Sequence, residues 1–238
     1  MLNAAKKIFW FIVKHSCSFP CPSCGAAVPD VEKNMICPEC ASRINFISPP
    51  FCPGCGGTLD NALALCGKCL QVDKRPWKKA VSLFNMEGHG RSLLHRLKYY
   101  NSPDLARPFG ELSAKVLRDA GLEPDFVTPT PLHWTRSFRR GFNQAELLCL
   151  MISQSSGIPM EKVLVRIKRT KIQSRLNREE RKKNLIGAFS VKKEAICKNK
   201  SILLVDDVMT TGATLAAATG ALLDAGAREV NVFALARR

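Results

Sequence analysis

Four Cys-x-x-Cys pairs crowd the first third of this 238-residue chain: Cys21/Cys24, Cys37/Cys40, Cys52/Cys55 and Cys66/Cys69. Each pair can turn tightly and aim two thiolates at one ion, and two such turns close a tetrahedral site. Twelve residues separate the first two pairs and ten the last two, lengths that suit a small ribbon between knuckles. The glycines of CPSCG and CPGCGG suit the backbone that follows a ligand pair. Two structural Zn²⁺ ions are expected, one on the first four cysteines and one on the second four. A crossed pairing of alternate knuckles stays open at this level. A redox Cys-x-x-Cys normally stands alone in an α/β domain, so four of them within about 50 residues argue for metal rather than redox chemistry or a disulfide framework.

Clustered ligand thiols imply a reducing compartment, and the expected location is cytoplasmic. Lys6 and Lys7 before the apolar run 8–13 resemble a secretory leader, but the run is too short and no small-residue cleavage site follows. A first helix or lead-in strand packed on its own domain is expected there. No segment approaches the roughly 18 apolar residues of a membrane span, so none is expected. Cys17 is near enough to Cys21 to be an alternative ligand but reads as a spare thiol. Cys149, within AELLCLMI, reads as core packing, and Cys197 has no partner pattern.

Beyond residue 76 strands and helices alternate, which divides the chain into a double zinc ribbon over 1–75 and an α/β domain over 76–238. The pattern predicts a strand at 80–86, then a helix with Leu93, Leu97 and Tyr100 on one face. A second helix carries Leu105, Phe109, Leu112 and Val116 at helical spacing and stops at Gly121. A short strand follows at 125–130, then a helix opened by an Asn143/Glu146 capping box and ended near Gly157. Weaker strands are expected at 162–167 and 188–191. The apolar run 201–205 reads as a central parallel strand covered on both faces, followed by a helix over 213–224 and a last strand over 229–235. This order implies a parallel sheet flanked by helices, with ligands at the carboxyl ends of the strands.

That rule points to the turn after Val205. Asp206 and Asp207 stand at the strand end, and Thr210, Thr211, Gly212, Ala213 and Thr214 open the next helix. A helix N-terminus offers N–H groups and partial positive charge to a phosphate. Gly212 lets the ligand approach the backbone, and the threonine hydroxyls can donate to phosphate oxygens. Two adjacent acids would repel that phosphate, so they suit acceptance from sugar hydroxyls or indirect contact with Mg²⁺. Neither GxxxxGK[ST] nor GxGxxG occurs, which disfavours P-loop NTPases and Rossmann dehydrogenases.

The segment VDDVMTTGAT resembles the phosphoribosyl pyrophosphate (PRPP) motif of type I phosphoribosyltransferases. Four cysteine pairs, LLHRLKYYNSPDLARPFG, TPLHWTRSFRRGFNQAE, QSRLNREERKKNLIGAF and then this motif make nearly the whole chain resemble the ComF/GntX family. The resemblance implies a phosphoribosyltransferase-like parallel sheet flanked by helices behind an N-terminal double zinc ribbon. It implies that Asp206 and Asp207 meet the ribose hydroxyls and that Thr210, Thr211, Gly212, Ala213 and Thr214 cradle the 5′-phosphate of PRPP. It also implies a Mg²⁺-dependent pyrophosphate site near 131–140 and a hood over 166–185. Lys98, His133, Arg139, Arg140 and Arg178 are the candidate contacts there. ComF-type proteins are associated with natural transformation and DNA uptake. Purine phosphoribosyltransferases often carry an acid where this chain has Thr210, and a threonine cannot exchange a proton with the base at neutral pH. PRPP binding is therefore better supported than transfer to a purine.

The formal charge of +16 and pI near 9.6 attract polyanions. Between Arg166 and Lys183 nine Lys/Arg face only Glu179 and Glu180, more charge than one pyrophosphate requires. A lid on pyrophosphate, a track for a nucleic-acid backbone and a solvated loop all fit that run. Arg136, Arg139 and Arg140 lie among His133, Trp134, Phe138 and Phe142, a mixture that can stack on the bases of single-stranded DNA or pack on the domain. His133 lacks a Cys or acid at metal-ligand spacing. Two functions follow as expectations. One is a PRPP-binding protein of DNA uptake whose ribbons dock a helicase-like partner or add to the DNA groove. The other is an active phosphoribosyltransferase of nucleotide or nucleoside metabolism that releases pyrophosphate to an unidentified acceptor, with no protein nucleophile in view.

Overall fold

The protein is described here by a computed structural model covering residues 19–28, 36–60, 62–72, 74–99, 103–132, 142–168, 185, 187–192 and 194–238. The front end contributes the antiparallel pair β1 (Phe19–Pro20) and β2 (Ala27–Val28) and two short helices, α1 (Pro38–Ser42) and α2 (Gly67–Leu70). The chain continues through β3 (Ala80–Asn85), α3 (Gly88–Tyr99), α4 (Ala106–Asp119), β4 (Phe126–Pro129) and α5 (Gln144–Ser156). It ends with β5 (Leu164–Arg166), β6 (Phe189–Val191), α6 (Glu194–Cys197), β7 (Ser201–Met209), α7 (Ala213–Asp224) and β8 (Glu229–Arg237). The segment 8–13, Cys17, Tyr100, His133, Arg139, Arg140 and Arg178 lie outside the described residues, as does most of both basic clusters.

Strands β3, β8, β7 and β4 form one parallel sheet in that spatial order. The run Ile202, Leu203, Leu204 and Val205 is fully buried because successive side chains of β7 enter opposite layers. Leu203 and Val205 join Phe233 and Leu235 of β8 in a core with Leu93, Leu97, Phe109, Leu148 and Ile152 of α3, α4 and α5. Ile202 and Leu204 face the other way, into a core with Leu215, Ala218 and Leu222 of α7. The expected buried face is present in Leu93 and Leu97 of α3 and Phe109 of α4, with Leu105 buried just ahead of α4, and Cys149 is core packing. Helices α4 and α5 come close enough that a Cβ on Gly110 would lie 2.2 Å from that of Met151.

The two cysteine modules straddle this sheet. Cys21, Cys37, Cys40, Ile44 and Ile47 belong to the first core, whereas Cys52, Cys55, Cys69 and Trp77 belong to the second. Both sheet edges are covered, which removes a template for unwanted strand pairing. On β3, Ile47 N donates to Leu83 O at 2.9 Å and Asn85 N to Asn45 O at 2.9 Å. On β4, Val127 N donates to Pro159 O at 2.8 Å and Glu161 N to Val127 O at 2.9 Å.

Two local expectations change. Asn143 caps α5 by accepting from Ala145 N at 3.1 Å, while Glu146 accepts from Lys162 Nζ instead of reaching back to complete a capping box. Strand β7 does not end at Val205. Its ladder with β8 continues through Asp206↔Ala234 and Val208↔Ala236 to Met209↔Arg237, so the acids lie within the strand and the turn comes four residues later. Periodicity stops at Val205 because the acids break the apolar run, but the backbone ladder is indifferent to that change.

Candidate functional site: the end of the central strand and two cysteine clusters

The far end of β7 brings Asp206, Asp207 and Lys98 together. Lys98, at the end of α3, places Nζ 3.1 Å from Asp207 Oδ2. Asp207 N donates to Asp206 Oδ1 at 2.9 Å. Burial raises the Asp206 carboxyl to about 7, and the charge of Asp207 adds to the rise. The Asp207 N–H and the charges of Lys98 and Arg166 oppose that rise without cancelling it. The Arg166 guanidinium lies 5.4 Å from the centre of the Phe189 ring, and its charge reaches Asp206 from the β5–β6 pair.

Thr210 to Gly212 then turn the chain into α7. Gly212 has φ +75°, a left-handed backbone that other residues adopt only with strain, and its carbonyl accepts the first intrahelical bond from Ala216 N at 2.8 Å. Thr211 Oγ1 accepts from Ala213 N at 3.4 Å, and Thr210 is exposed beside it. Arg238 N donates to Met209 O at 3.0 Å, fixing the start of the turn. Thr130, just beyond β4, donates its N–H to Val205 O at 2.8 Å, while its hydroxyl is buried with no hydrogen-bond partner among the described residues. A helix start and an orphaned hydroxyl offer donors and the two carboxylates offer acceptors, a combination that a hydroxylated phosphate ester can complete.

Two residues of this neighbourhood escaped the sequence reading. A Cβ on Gly212 would meet Arg75 Nη1 and Trp77 Cη2, each at 3.0 Å. The Arg75 guanidinium also lies 5.2 Å from the centre of the Trp77 ring. Both come from the stretch read as a domain boundary. The Arg-Pro-Trp sequence there was the available signal, since a lone tryptophan at a boundary needs a surface to cover it.

The eight front-end cysteines gather sequentially. Cys21, Cys24, Cys37 and Cys40 form one group and Cys52, Cys55, Cys66 and Cys69 the other, with all sulfurs of a group within 4.8 Å of one another. The crossed pairing does not occur. Cys24 and Cys37 sulfurs are 3.7 Å apart and those of Cys55 and Cys66 are 3.6 Å apart. A tetrahedron with Zn–S bonds of about 2.3 Å has edges of about 3.8 Å, so the groups fit zinc. Burial opposes ionisation of Cys21, but the N–H groups of Cys37, Cys24 and Ser23 outweigh it and lower the thiol to about 7. Cys66 is likewise brought to about 7 against its burial, with the Cys69 N–H the leading donor. Burial pushes Cys55 up to about 11, and the neighbouring Cys52 and Cys66 charges add to it. In each group one thiol ionises readily while others, Cys37 in the first and Cys55 and Cys69 in the second, resist, which is the electrostatics of a site that needs a cation to hold four thiolates.

Residues 18–70 match a family described as a double zinc ribbon domain, and residues 144–238 match a phosphoribosyl transferase domain. Competence protein F of Haemophilus influenzae is 34% identical over 230 residues, covering 92% of this chain and 97% of that protein. DNA utilization protein YhgH of Escherichia coli K12 is 34% identical over 208 residues, covering 85% and 90% respectively. Competence protein ComFC of Bacillus subtilis is 28% identical over 214 residues, covering 85% and 84%. Among the described residues no helix is long and apolar enough to cross a membrane. Two sequential four-cysteine groups, a parallel sheet with flanking helices and relatives that match along nearly their whole length agree on one assignment: the chain belongs to the ComF/GntX family, a double zinc ribbon joined to a phosphoribosyltransferase-type domain.

Proposed function

We propose that this chain binds PRPP at the end of β7 and serves in DNA uptake. The observation that carries the reading is the position of Asp206 and Asp207, the second paired with Lys98, one short turn ahead of a helix opened by Gly212. Asp206 and Asp207 accept from the ribose hydroxyls, a task for which the ionised carboxylate is the stronger acceptor. The first-turn N–H groups of α7, with the hydroxyls of Thr211 and Thr214, donate to the 5′-phosphate. Thr130 Oγ1, just beyond the neighbouring strand β4, is a further donor. His133, Arg139, Arg140 and Arg178 are assigned to the pyrophosphate side. Mg²⁺ supplies neutralisation of the pyrophosphate charge, and Asp206 and Asp207 would reach it through water. Thr210 offers no proton exchange to a purine.

Relatives named for competence and DNA utilization support the uptake role. In this reading the chain works in the cytoplasm with single-stranded DNA and a helicase-like uptake protein as partners. Calorimetric titration of the zinc-loaded full chain with Mg²⁺ and PRPP tests it. Saturable binding is expected, weakened about tenfold or more in Asp206→Asn/Asp207→Asn while affinity for single-stranded DNA is retained. A folded protein that ignores PRPP overturns the reading. Pyrophosphate release with a base, an amine or single-stranded DNA as acceptor makes the chain a transferase rather than a binding module.

A further inference from the structure

Helix α3 is gripped from two sides. Arg96 donates through Nη1 to Ser23 O at 2.6 Å and through Nη2 to Pro22 O at 2.7 Å. Both carbonyls belong to the turn between Cys21 and Cys24. His89 Nε2 and Ser23 Oγ share a hydrogen bond of 2.8 Å against the same turn. His89 and Arg96 are seven positions apart, which puts them on one face of the helix. Lys98 stands about 200° round the axis from Arg96. From there its Nζ reaches Asp207 Oδ2 at 3.1 Å. The helix therefore lies between the first cysteine group and the acids of β7, with a cation turned toward each.

These grips act on a helix that is packed in place. Leu93, Leu94 and Leu97 of α3 are each 1% exposed and share one core with Cys21, Cys37 and Cys40. A planar guanidinium serving two neighbouring carbonyls fixes direction as well as distance. The turn that carries those carbonyls has a metal ligand at each end, so a bound ion holds it closed. Zinc on four thiolates leaves that group at a net charge of about −2, which draws the guanidinium further. At the other end of α3, Gln144 Nε2 donates to Lys98 O at 3.4 Å, so α5 steadies the last turn.

We infer that Arg96 is a positioning residue through which the first zinc group sets the Lys98–Asp207 pair. Metal in that group holds Pro22 and Ser23, their carbonyls hold Arg96, and α3 carries the constraint two residues further to Lys98. Loss of the metal frees the turn, lets the end of α3 shift and leaves Asp207 less firmly paired. The first ribbon is then a metal-dependent brace for the strand-end site. What that site binds rests on the reading above, whereas the link itself is testable with no ligand present.

The test compares Arg96→Gln, which removes both bonds, with Arg91→Gln, an exposed cation of the same helix. The zinc-loaded full chain is alkylated under a zinc chelator, and mass spectrometry follows Cys24 as reporter of the first group and Cys66 as reporter of the second. Arg96→Gln should speed modification of Cys24 at least about fivefold and leave Cys66 unchanged. A Lys98→Met/Asp207→Asn cycle in urea should give a coupling factor of about five in the unfolding constant, falling below about two in the Arg96→Gln background. Cys24→Ser should lower that factor equally, and no further when combined with Arg96→Gln, a dependence that simple packing would not produce. Arg96→Lys keeps the charge but not the two-pronged contact and should fall between; it stands in where Cys24→Ser does not fold. An unchanged coupling factor in Arg96→Gln overturns the link even where Cys24 reacts faster. Equal losses in Arg91→Gln, or no coupling in the parent, overturn it too. PRPP titration of the same proteins separates the two readings: a chain that ignores PRPP yet loses coupling keeps the link and loses the ligand.

Discussion

Lys98 Nζ lies 3.1 Å from Asp207 Oδ2, and the two side chains are only 19% and 17% exposed. A pair so enclosed is worth more than a surface ion pair, because removing one partner leaves the other charge poorly solvated. It also divides the labour of the two adjacent acids. Asp207 is paired with its lysine, whereas burial lets Asp206 keep a proton into the neutral range.

Lys98→Met should therefore destabilise the fold by about 1–3 kcal/mol in urea titrations. Adding Asp207→Asn should recover part of that loss, giving a coupling energy of roughly 1 kcal/mol in a double-mutant cycle. Strictly additive losses would show that the pair is incidental.

Asp206 makes stability and binding respond to pH in opposite directions. Its carboxyl is raised from 3.8 to about 7 in the folded chain, by burial first and by Asp207 second. Between those values the folded chain holds a proton that the unfolded chain has released. The contribution to stability is thus full below about pH 4 and is lost as pH rises through about 7. Asp206→Asn should raise the thermal midpoint by a margin that is larger at pH 7.5 than at pH 5. The ratio of parent to variant affinity for PRPP should instead grow between about pH 6 and 8, as the parent carboxylate ionises. A constant margin and a constant ratio across pH would remove Asp206 from this role.

Glycine substitutions within one helix should have opposite signs. Gly212→Ala forces a left-handed backbone on alanine and brings Cβ to within 3.0 Å of Arg75 and Trp77. A loss of about 1–3 kcal/mol is expected, together with weakened binding at the Thr210–Thr214 turn. Gly220→Ala meets nothing within 4 Å and should gain up to about 1 kcal/mol from helix propensity. Denaturant midpoints of the two variants check the contrast.

Metal removal should be felt by the whole sheet. Cys52, Cys55 and Cys69 share one core with Ala80, Leu204 and Val232. Cys52→Ser, which deprives the second group of a ligand, should lower the main thermal transition by about 10 °C, at roughly 2–4 °C per kcal/mol. A separate low-temperature transition with the main one unmoved would mean the ribbon melts alone.

The sequence displayed most of this architecture because its strongest signals are local. The ligand cysteines, the all-apolar strand 201–205 and the Asp206 to Thr214 segment each declare themselves within a few residues. The strand extension through Met209 was hidden, since only pairing with β8 reveals it. Arg75, Trp77 and Arg237 were hidden for a related reason. They reach the Gly212 turn and the ribbon from segments far away in the chain, and no periodicity encodes such a meeting.

Ladder bonds hold the main chain of Asp206, and with it the carboxylate pair, as firmly as the hydrophobic middle of β7. Evolution can therefore remodel what arrives from the β5–β6 side or from the cysteine modules without disturbing the anchor point. Descendants of such a scaffold are free to change what the two acids meet while keeping where they stand.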